Sequence, residues 1–241
     1  MFKRILFMGR KKDKYSKLLV SDLKKLTKNI KIFYSKNNNK KINKKLFNVP
    51  KFWYDYIICF RSYYILNKSE ITKSKFASIN FHPGPPEYRG IGCINYALYD
   101  NVKNYGVTAH LISEKIDSGK IIDVKKIKIL KTDNLESLLK KTHFTQYIQA
   151  KKIIKLLYEN NNNLKNLIYK FRKKKWSKSI KSRKDLDKFY EIKKNIKKDQ
   201  LSRKIRATFT KKYKPYFISN KKKIIMKNEM LINKYFPIYK L

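Results

Sequence analysis

The sequence predicts an α/β fold: a Rossmann-like, mainly parallel open sheet flanked by helices, with a short C-terminal α+β appendage. Three observations predict it. Short apolar runs such as Lys3 to Met8 and Ile57 to Phe60 alternate little, as strands buried on both faces do. Longer segments between and after such runs repeat apolar residues at helical spacing. The two kinds of segment alternate along the first 160 residues, which is the order that builds a parallel sheet.

Lys3 to Met8 is the first strand; its apolar part is too short for a secretory signal. Tyr15 to Leu26 carries Leu18, Leu19, Leu23 and Leu26 near helical spacing and is an amphipathic helix. Ile30 to Tyr34 is the second strand. Ser35 to Lys45 is a polar Asn/Lys stretch, read as a loop without chemistry. Ile57 to Phe60 and Phe76 to Phe81 are the third and fourth strands. Ile91 to Tyr99 is a helix, Val107 to Ser113 and Ile121 to Ile129 are two further strands, and Leu135 to Tyr158 is one long helix packed on the sheet. The asparagine tract Asn160 to Asn163 divides a domain of residues 1–160 from a tail of residues 161–241. In that tail Phe171 to Arg183 is a basic surface loop around Trp176, and Asp199 to Phe209 is a helix capped by Asp199. Phe217-Ile218 and Ile224-Ile225-Met226 flank Ser219-Asn220 as a small hairpin. No repeat of twenty to fifty residues is present.

The chemistry concentrates in Asn80-Phe81-His82-Pro83-Gly84-Pro85-Pro86-Glu87-Tyr88-Arg89-Gly90 and in Ile116-Asp117-Ser118-Gly119. The Pro/Gly cluster must end the fourth strand in a stiff loop. Asn80 and His82, two apart, share one side of that strand's end. Polar groups at the carboxyl edge of an α/β sheet sit where such sheets bind ligands. Asp117, between two strands, completes an Asn/His/Asp trio. That trio suits acyl-type transfer to an amine: a donor for the developing oxyanion, a base for the ammonium proton, and a carboxylate to hold the imidazole. No Gly-x-Gly-x-x-Gly or Walker loop follows the first strand, so the sheet binds something other than a dinucleotide.

Asn80-x-His82-Pro83-Gly84, Tyr88-x-Gly90, Gly106-Val107-Thr108-Ala109-His110 and Ile116-Asp117-Ser118-Gly119-Lys120-Ile121-Ile122 together resemble the 10-formyltetrahydrofolate-dependent formyltransferase family. The specific motifs cover residues 55 to 125, and a looser match in element order covers residues 1 to 160. The resemblance implies that residues 1–160 form the catalytic domain, with 10-formyltetrahydrofolate as co-substrate. It implies that Asn80 bonds the formyl oxygen, that His82 assists that charge and the proton leaving the amine, and that Asp117 orients the site. It places the pterin pocket at Ser62, Tyr63, Tyr64, Ile65 and Leu66, although such a run after a strand also serves as core. Pro83 to Gly90 followed by Gly92-Cys93-Ile94-Asn95-Tyr96-Ala97-Leu98-Tyr99 looks most like the branch that formylates nucleotide-linked amino sugars. Methionyl-tRNA formylation is the alternative, and a non-catalytic basic binding protein that keeps the fold is a further one. A homodimer is left open.

The formal net charge is +44, from 61 Lys and Arg against 17 Asp and Glu. Such a charge points toward nucleic acid, tRNA included, but lysine dominates and is scattered along every segment rather than gathered into arginine forks. A polyanionic nucleotide sugar also suits that field. Trp176 either contacts a base or a nucleotide diphosphate or, the commoner outcome, pins the tail to the main domain. Three histidines without paired spacing predict no metal site. His110 is expected to support the site from behind, His143 to be a packing or surface residue, and Lys120 to be surface charge. Cys59 and Cys93 are expected as reduced packing residues. No apolar run is long enough to span a membrane, so a cytoplasmic protein is expected.

Overall fold

The fold is described from a computed structural model for residues 2–36, 42–159 and 164–238. The tract Asn160 to Asn163 and part of the polar stretch from Ser35 to Lys45 lie outside the described residues. The elements in chain order begin with β1 (Ile5–Arg10), α1 (Lys14–Leu26), β2 (Ile30–Ser35), a 3-10 turn at Lys44–Leu46, β3 (Tyr54–Phe60) and α2 (Lys68–Ile71). Then come β4 (Ser74–His82), β5 (Arg89–Gly90), α3 (Cys93–Tyr99), β6 (Asn104–Leu111), β7 (Ile121–Lys128) and α4 (Leu135–Glu159). The chain continues through α5 (Lys165–Lys170), β8 (Ile180–Lys181), α6 (Arg183–Phe189), β9 (Glu191–Ile192), α7 (Lys198–Thr208), β10 (Tyr216–Ser219), β11 (Lys222–Ile225) and α8 (Glu229–Tyr235).

Two compact units divide these elements. The first comprises residues 1–87, 106–127 and 142–176. Its six-stranded sheet has the order β2-β1-β3-β4-β6-β7. β1 pairs in parallel with β2 and β3, and β3 with β4, whereas β6 runs antiparallel to β4. The sheet is therefore mainly parallel, as the uninterrupted apolar runs predict.

Both faces of that sheet are covered, with alternate residues of each strand serving opposite layers. Ile5, Phe7, Tyr56, Ile58, Phe60, Ile79 and Phe81 pack with Leu19 and Leu23 of α1 and with Ala150, Ile153, Ile154 and Leu157 of α4. Leu6, Met8, Ile57 and Cys59 form the other layer with Leu66. Burial pushes the Cys59 thiol up to about 12, as befits an unreactive packing residue. α1 begins where Asp13 accepts hydrogen bonds from Ser16 N and Oγ, both at 2.8 Å. α2 has no counterpart in the sequence reading: four residues show no periodicity, and it is held by the Asn67/Glu70 capping box.

The second unit comprises residues 88–105, 128–141 and 177–241. It holds a three-stranded sheet, β11-β10-β9, and a core of Ile192, Leu201, Ile205, Phe217, Met226, Ile232 and Phe236. β10 and β11 form the expected hairpin, and Asn220 and Lys221 at its turn both have positive φ (46° and 61°), the backbone a two-residue type I′ turn demands. α3 and α7 are joined by Asn95 Nδ2, which donates to Ala207 O at 2.7 Å. The cap expected at Asp199 is displaced: Lys197 is the capping position, and Asp199, inside the first turn, accepts from Arg203 Nη2 at 3.1 Å. A partner four residues on draws the carboxylate along the helix instead of back to its start.

Candidate active site

β4 delivers Asn80 and His82 to its carboxyl end between β3 and β6, where Cys59 pairs with Asn80 on one side and His110 with Asn80 on the other. Two contacts hold the strand's end and the loop beyond it. Thr108 Oγ1 donates to Gly84 O at 2.8 Å, and Gln146 Nε2 of α4 donates to Phe81 O. Gly84 of the Pro/Gly loop is thus tied to β6, and the strand residue before His82 is tied to α4.

Asp117 arrives on the loop between β6 and β7 in a left-handed conformation, φ 45°. That region is uncommon outside glycine, and Asp is among the residues that enter it most readily. Ser118 Oγ fastens the turn by donating to Lys115 O at 2.8 Å, and Ser113 Oγ lies 2.7 Å from Ser118 Oγ. Gly119 permits the closing approach, since a Cβ there would lie 1.8 Å from Leu111 O. The Asp-Ser-Gly order therefore has a separate geometric task for each residue: a left-handed carboxylate, a hydroxyl staple and a bare backbone.

The three elements bring the trio together. His82 Nδ1 lies 3.3 Å from Asp117 Oδ2, and both residues are buried. Asn80 Nδ2 lies 3.1 Å from His110 Nε2, and Asp117 Oδ1 lies 3.5 Å from that same nitrogen. His110 Nδ1 lies 2.7 Å from Leu111 O, a carbonyl that only accepts, so Nδ1 carries the proton. In this tautomer the uncharged ring accepts at Nε2 from the Asn80 amide, which fixes the amide's orientation. His82 with its proton on Nδ1, directed at Asp117, has Nε2 as its basic nitrogen. An oriented amide donor beside a carboxylate-held imidazole can stabilise a developing oxyanion and take up a proton.

The candidate cofactor segment leaves the end of β3 beside this site. Tyr63 N donates to Ser35 Oγ at 2.8 Å, and Tyr64 N donates to Ser62 Oγ at 3.1 Å. Tyr64 is drawn inward: its hydroxyl donates to Glu70 at 2.6 Å and its ring meets Phe33 edge to face. Leu66 is buried in the core, whereas Ile65 is 61% exposed, a large apolar side chain available at the sheet edge. The structure thus brings Asn80, His82 and Asp117 into mutual contact and divides the five residues from Ser62 to Leu66 between core and surface. Lys120 is exposed, as expected for surface charge.

Among the described residues no group of three or more His, Cys, Asp or Glu side chains could hold a metal ion, and no helix is long and apolar enough to cross a membrane. The family model described as formyl transferase matches residues 4–150. The chain belongs to the formyl transferase family.

This formyl transferase family member is 34% identical over 158 residues to the bifunctional polymyxin resistance protein ArnA of Wigglesworthia glossinidia brevipalpis, a match over 61% of the chain and 23% of that relative. The chain thus spans about a quarter of that relative's length. Among solved structures, protein Rv3404c of Mycobacterium tuberculosis superposes with a TM-score of 0.71 at 15% identity, over 95% of this chain and 97% of that one. The N-formyltransferase of Helicobacter canadensis superposes with a TM-score of 0.66 at 20% identity, over 92% and 85%. At these identities the likeness establishes the fold.

The site of this formyl transferase family member holds more than the sequence alone specifies. His110, expected only as support from behind, is buried and lies against both Asn80 and Asp117. Trp176 lies against both imidazoles. Arg10 and Arg61, the last residue of β1 and the first after β3, form a cluster with Asp13: Arg10 Nε donates to Arg61 O at 3.1 Å, and Arg61 Nε lies 3.2 Å from Asp13 Oδ1. The sequence reading missed this cluster; a cation directly after each of two apolar strands was the available signal. Burial lowers the Arg61 guanidinium to about 10, with Asp13 opposing, so it stays charged at neutral pH. His143 of α4 is half-buried, a packing residue as expected, and is held down to about 3 by burial and then by Arg61.

Proposed function

We propose that this protein transfers a formyl group from 10-formyltetrahydrofolate to a primary amine, the amino group of a nucleotide-linked amino sugar. The observation that carries the reading is the 3.3 Å pair of His82 and Asp117 beside an Asn80 amide oriented by His110. The solved N-formyltransferase of Helicobacter canadensis is a complex with folinic acid and dTDP-3-aminofucose, which supports this substrate class. Arg61 adds to it: its Nη1 group is buried without a hydrogen-bond partner among the described residues, and guanidinium forks suit phosphate oxygens.

In this reading Asn80 donates to the formyl oxygen as negative charge develops there. His82 Nε2 takes the proton that the attacking amine loses and returns it to the leaving nitrogen, while Asp117 holds the imidazole in the required tautomer and stabilises its cation. The backbone of residues 62–66 and the exposed side chain of Ile65 offer the surface for the pterin. Residues 1–160 serve as the catalytic domain and residues 161–241 as a basic linker and small C-terminal module.

The deciding experiment is mass spectrometry of the purified protein with 10-formyltetrahydrofolate, several 3-amino and 4-amino sugar nucleotides and methionyl-tRNA. Addition of one formyl group to a sugar nucleotide, lost in Asn80→Ala, is the expected result. Modification of methionyl-tRNA alone would overturn the sugar assignment, and silence on every amine would overturn catalysis.

A further inference from the structure

The indole of Trp176 meets both imidazoles of the site edge to face, with ring centroids 5.7 Å from His82 at 74° and 5.0 Å from His110 at 82°. Its Nε1–H donates to Gly119 O at 2.8 Å. That carbonyl belongs to the residue whose missing Cβ lets the Asp117 loop close on Leu111. One side chain therefore contacts both histidines and the loop that carries the carboxylate. It comes from residue 176, beyond the residues 4–150 matched by the family model.

We infer that Trp176 is a positioning residue, which fixes the planes of His82 and His110 and clamps the Asp117 loop against them. A tilt of the imidazole plane moves its basic nitrogen away from the reacting amine. A wide rigid ring against two imidazoles removes that freedom, and its cost in side-chain entropy is small, because Trp has only two rotatable bonds. The bond to Gly119 makes the clamp reciprocal: when the Asp117 loop shifts, the indole shifts with it. Trp176 touches no reacting atom, so its effect belongs in turnover rather than in substrate affinity.

The catalytic part of this inference rests on the formyl-transfer reading, whereas the contact itself is testable without it. The chain has two tryptophans, and Trp53 stands apart, stacked on Arg4 with 3.9 Å from guanidinium carbon to ring centroid. In Trp53→Phe the remaining emission comes from Trp176 alone. Loss of a ring from contact lets water reach an indole, so the wavelength of Trp176 emission reports the two contacts. The emission should move to longer wavelength in the further variants His82→Ala and His110→Ala, each of which removes one of the two rings that meet the indole. In kinetics with the amine found to be formylated, Trp176→Ala should lower kcat about 100-fold, the scale of a misplacement near 1 Å, while KM moves less than about threefold. Trp176→Phe keeps a ring and loses the donor to Gly119; it should recover most of the rate and serves if the alanine variant fails to fold. A loss confined to KM, or a Trp176 emission unchanged in both histidine variants, would overturn the inference. A wild type that formylates nothing while the emission still shifts in the histidine variants would instead overturn the reaction assignment and leave the clamp standing.

Discussion

Asn80 and His110 face each other across the antiparallel step between β4 and β6, as a register pair with Nδ2 and Nε2 3.1 Å apart. The bond chooses between the two ends of the Asn80 amide. A His110 with its proton spent on Leu111 O can only accept, so Asn80 must present its nitrogen inward. Without that partner the amide is free to rotate and offer its oxygen where a donor is required.

His110→Leu should therefore lower kcat by roughly 10- to 100-fold, the equivalent of a buried hydrogen-bond partner lost at about 1–3 kcal/mol. His110→Gln, whose side-chain oxygen can accept from Asn80, should recover part of the loss. Steady-state rates of the two variants at saturating substrates check the claim, and equal losses would refute it.

His82→Ala should reduce turnover by about two to four orders of magnitude, as removal of a general acid/base does. Asp117→Asn keeps the shape and removes the charge that fixes the tautomer, so its loss should be of similar kind. Because the two act as one unit, the double variant should be little worse than His82→Ala alone. Losses that multiply would separate the residues into independent roles.

Gly119→Ala tests the loop geometry without touching a catalytic group. The added carbon would meet a backbone oxygen at 1.8 Å, which no side-chain rotation relieves. Thermal unfolding should show a destabilisation on the order of 1–3 kcal/mol. Activity should fall by more than the stability change explains, because the displaced loop carries Asp117. Wild-type behaviour in both measurements would show that the loop adapts.

His143 supplies a pH dependence. Burial first, then Arg61 and Arg10, hold its folded value down to about 3, with Asp13 acting in the opposite sense. The unfolded chain takes up this proton below about pH 6.5 and the folded chain does not, so stability declines as pH falls from about 6.5 toward 3. The slope approaches about 1.4 kcal/mol per pH unit for one such proton. His143→Leu should flatten that decline between pH 7 and 5 in urea unfolding; an unchanged slope would exclude His143 as its source.

The legible parts of this structure are those that local pattern alone specifies. Strands buried on both faces announce themselves as uninterrupted apolar runs, and α4 shows its packing stripe from Leu135 to Leu157. Asn80, His82 and Asp117 stand out in sequence through motifs that resemble the formyltransferase family, and the structure brings them into contact. The parts that stayed hidden depend on long-range pairing. Nothing near Trp176 in sequence indicates that its indole meets histidines 94 and 66 residues earlier, since its neighbours are lysines. The opposition of Asn80 and His110 depends on register, which one sequence does not state. Two-residue strands such as β5 and β8 exist only through each other.

The first unit is sewn from three separate lengths of chain, residues 1–87, 106–127 and 142–176. During synthesis, then, the carboxyl edge of β4 emerges long before the residues that finish it. Asn80 and His82 must wait for His110, then Asp117, and last of all Trp176. A nascent chain has most of its sheet early but a working centre only once residue 176 has left the ribosome. The contacts of the histidines are completed late in synthesis, and a chain that stops before residue 176 lacks the indole that meets both rings.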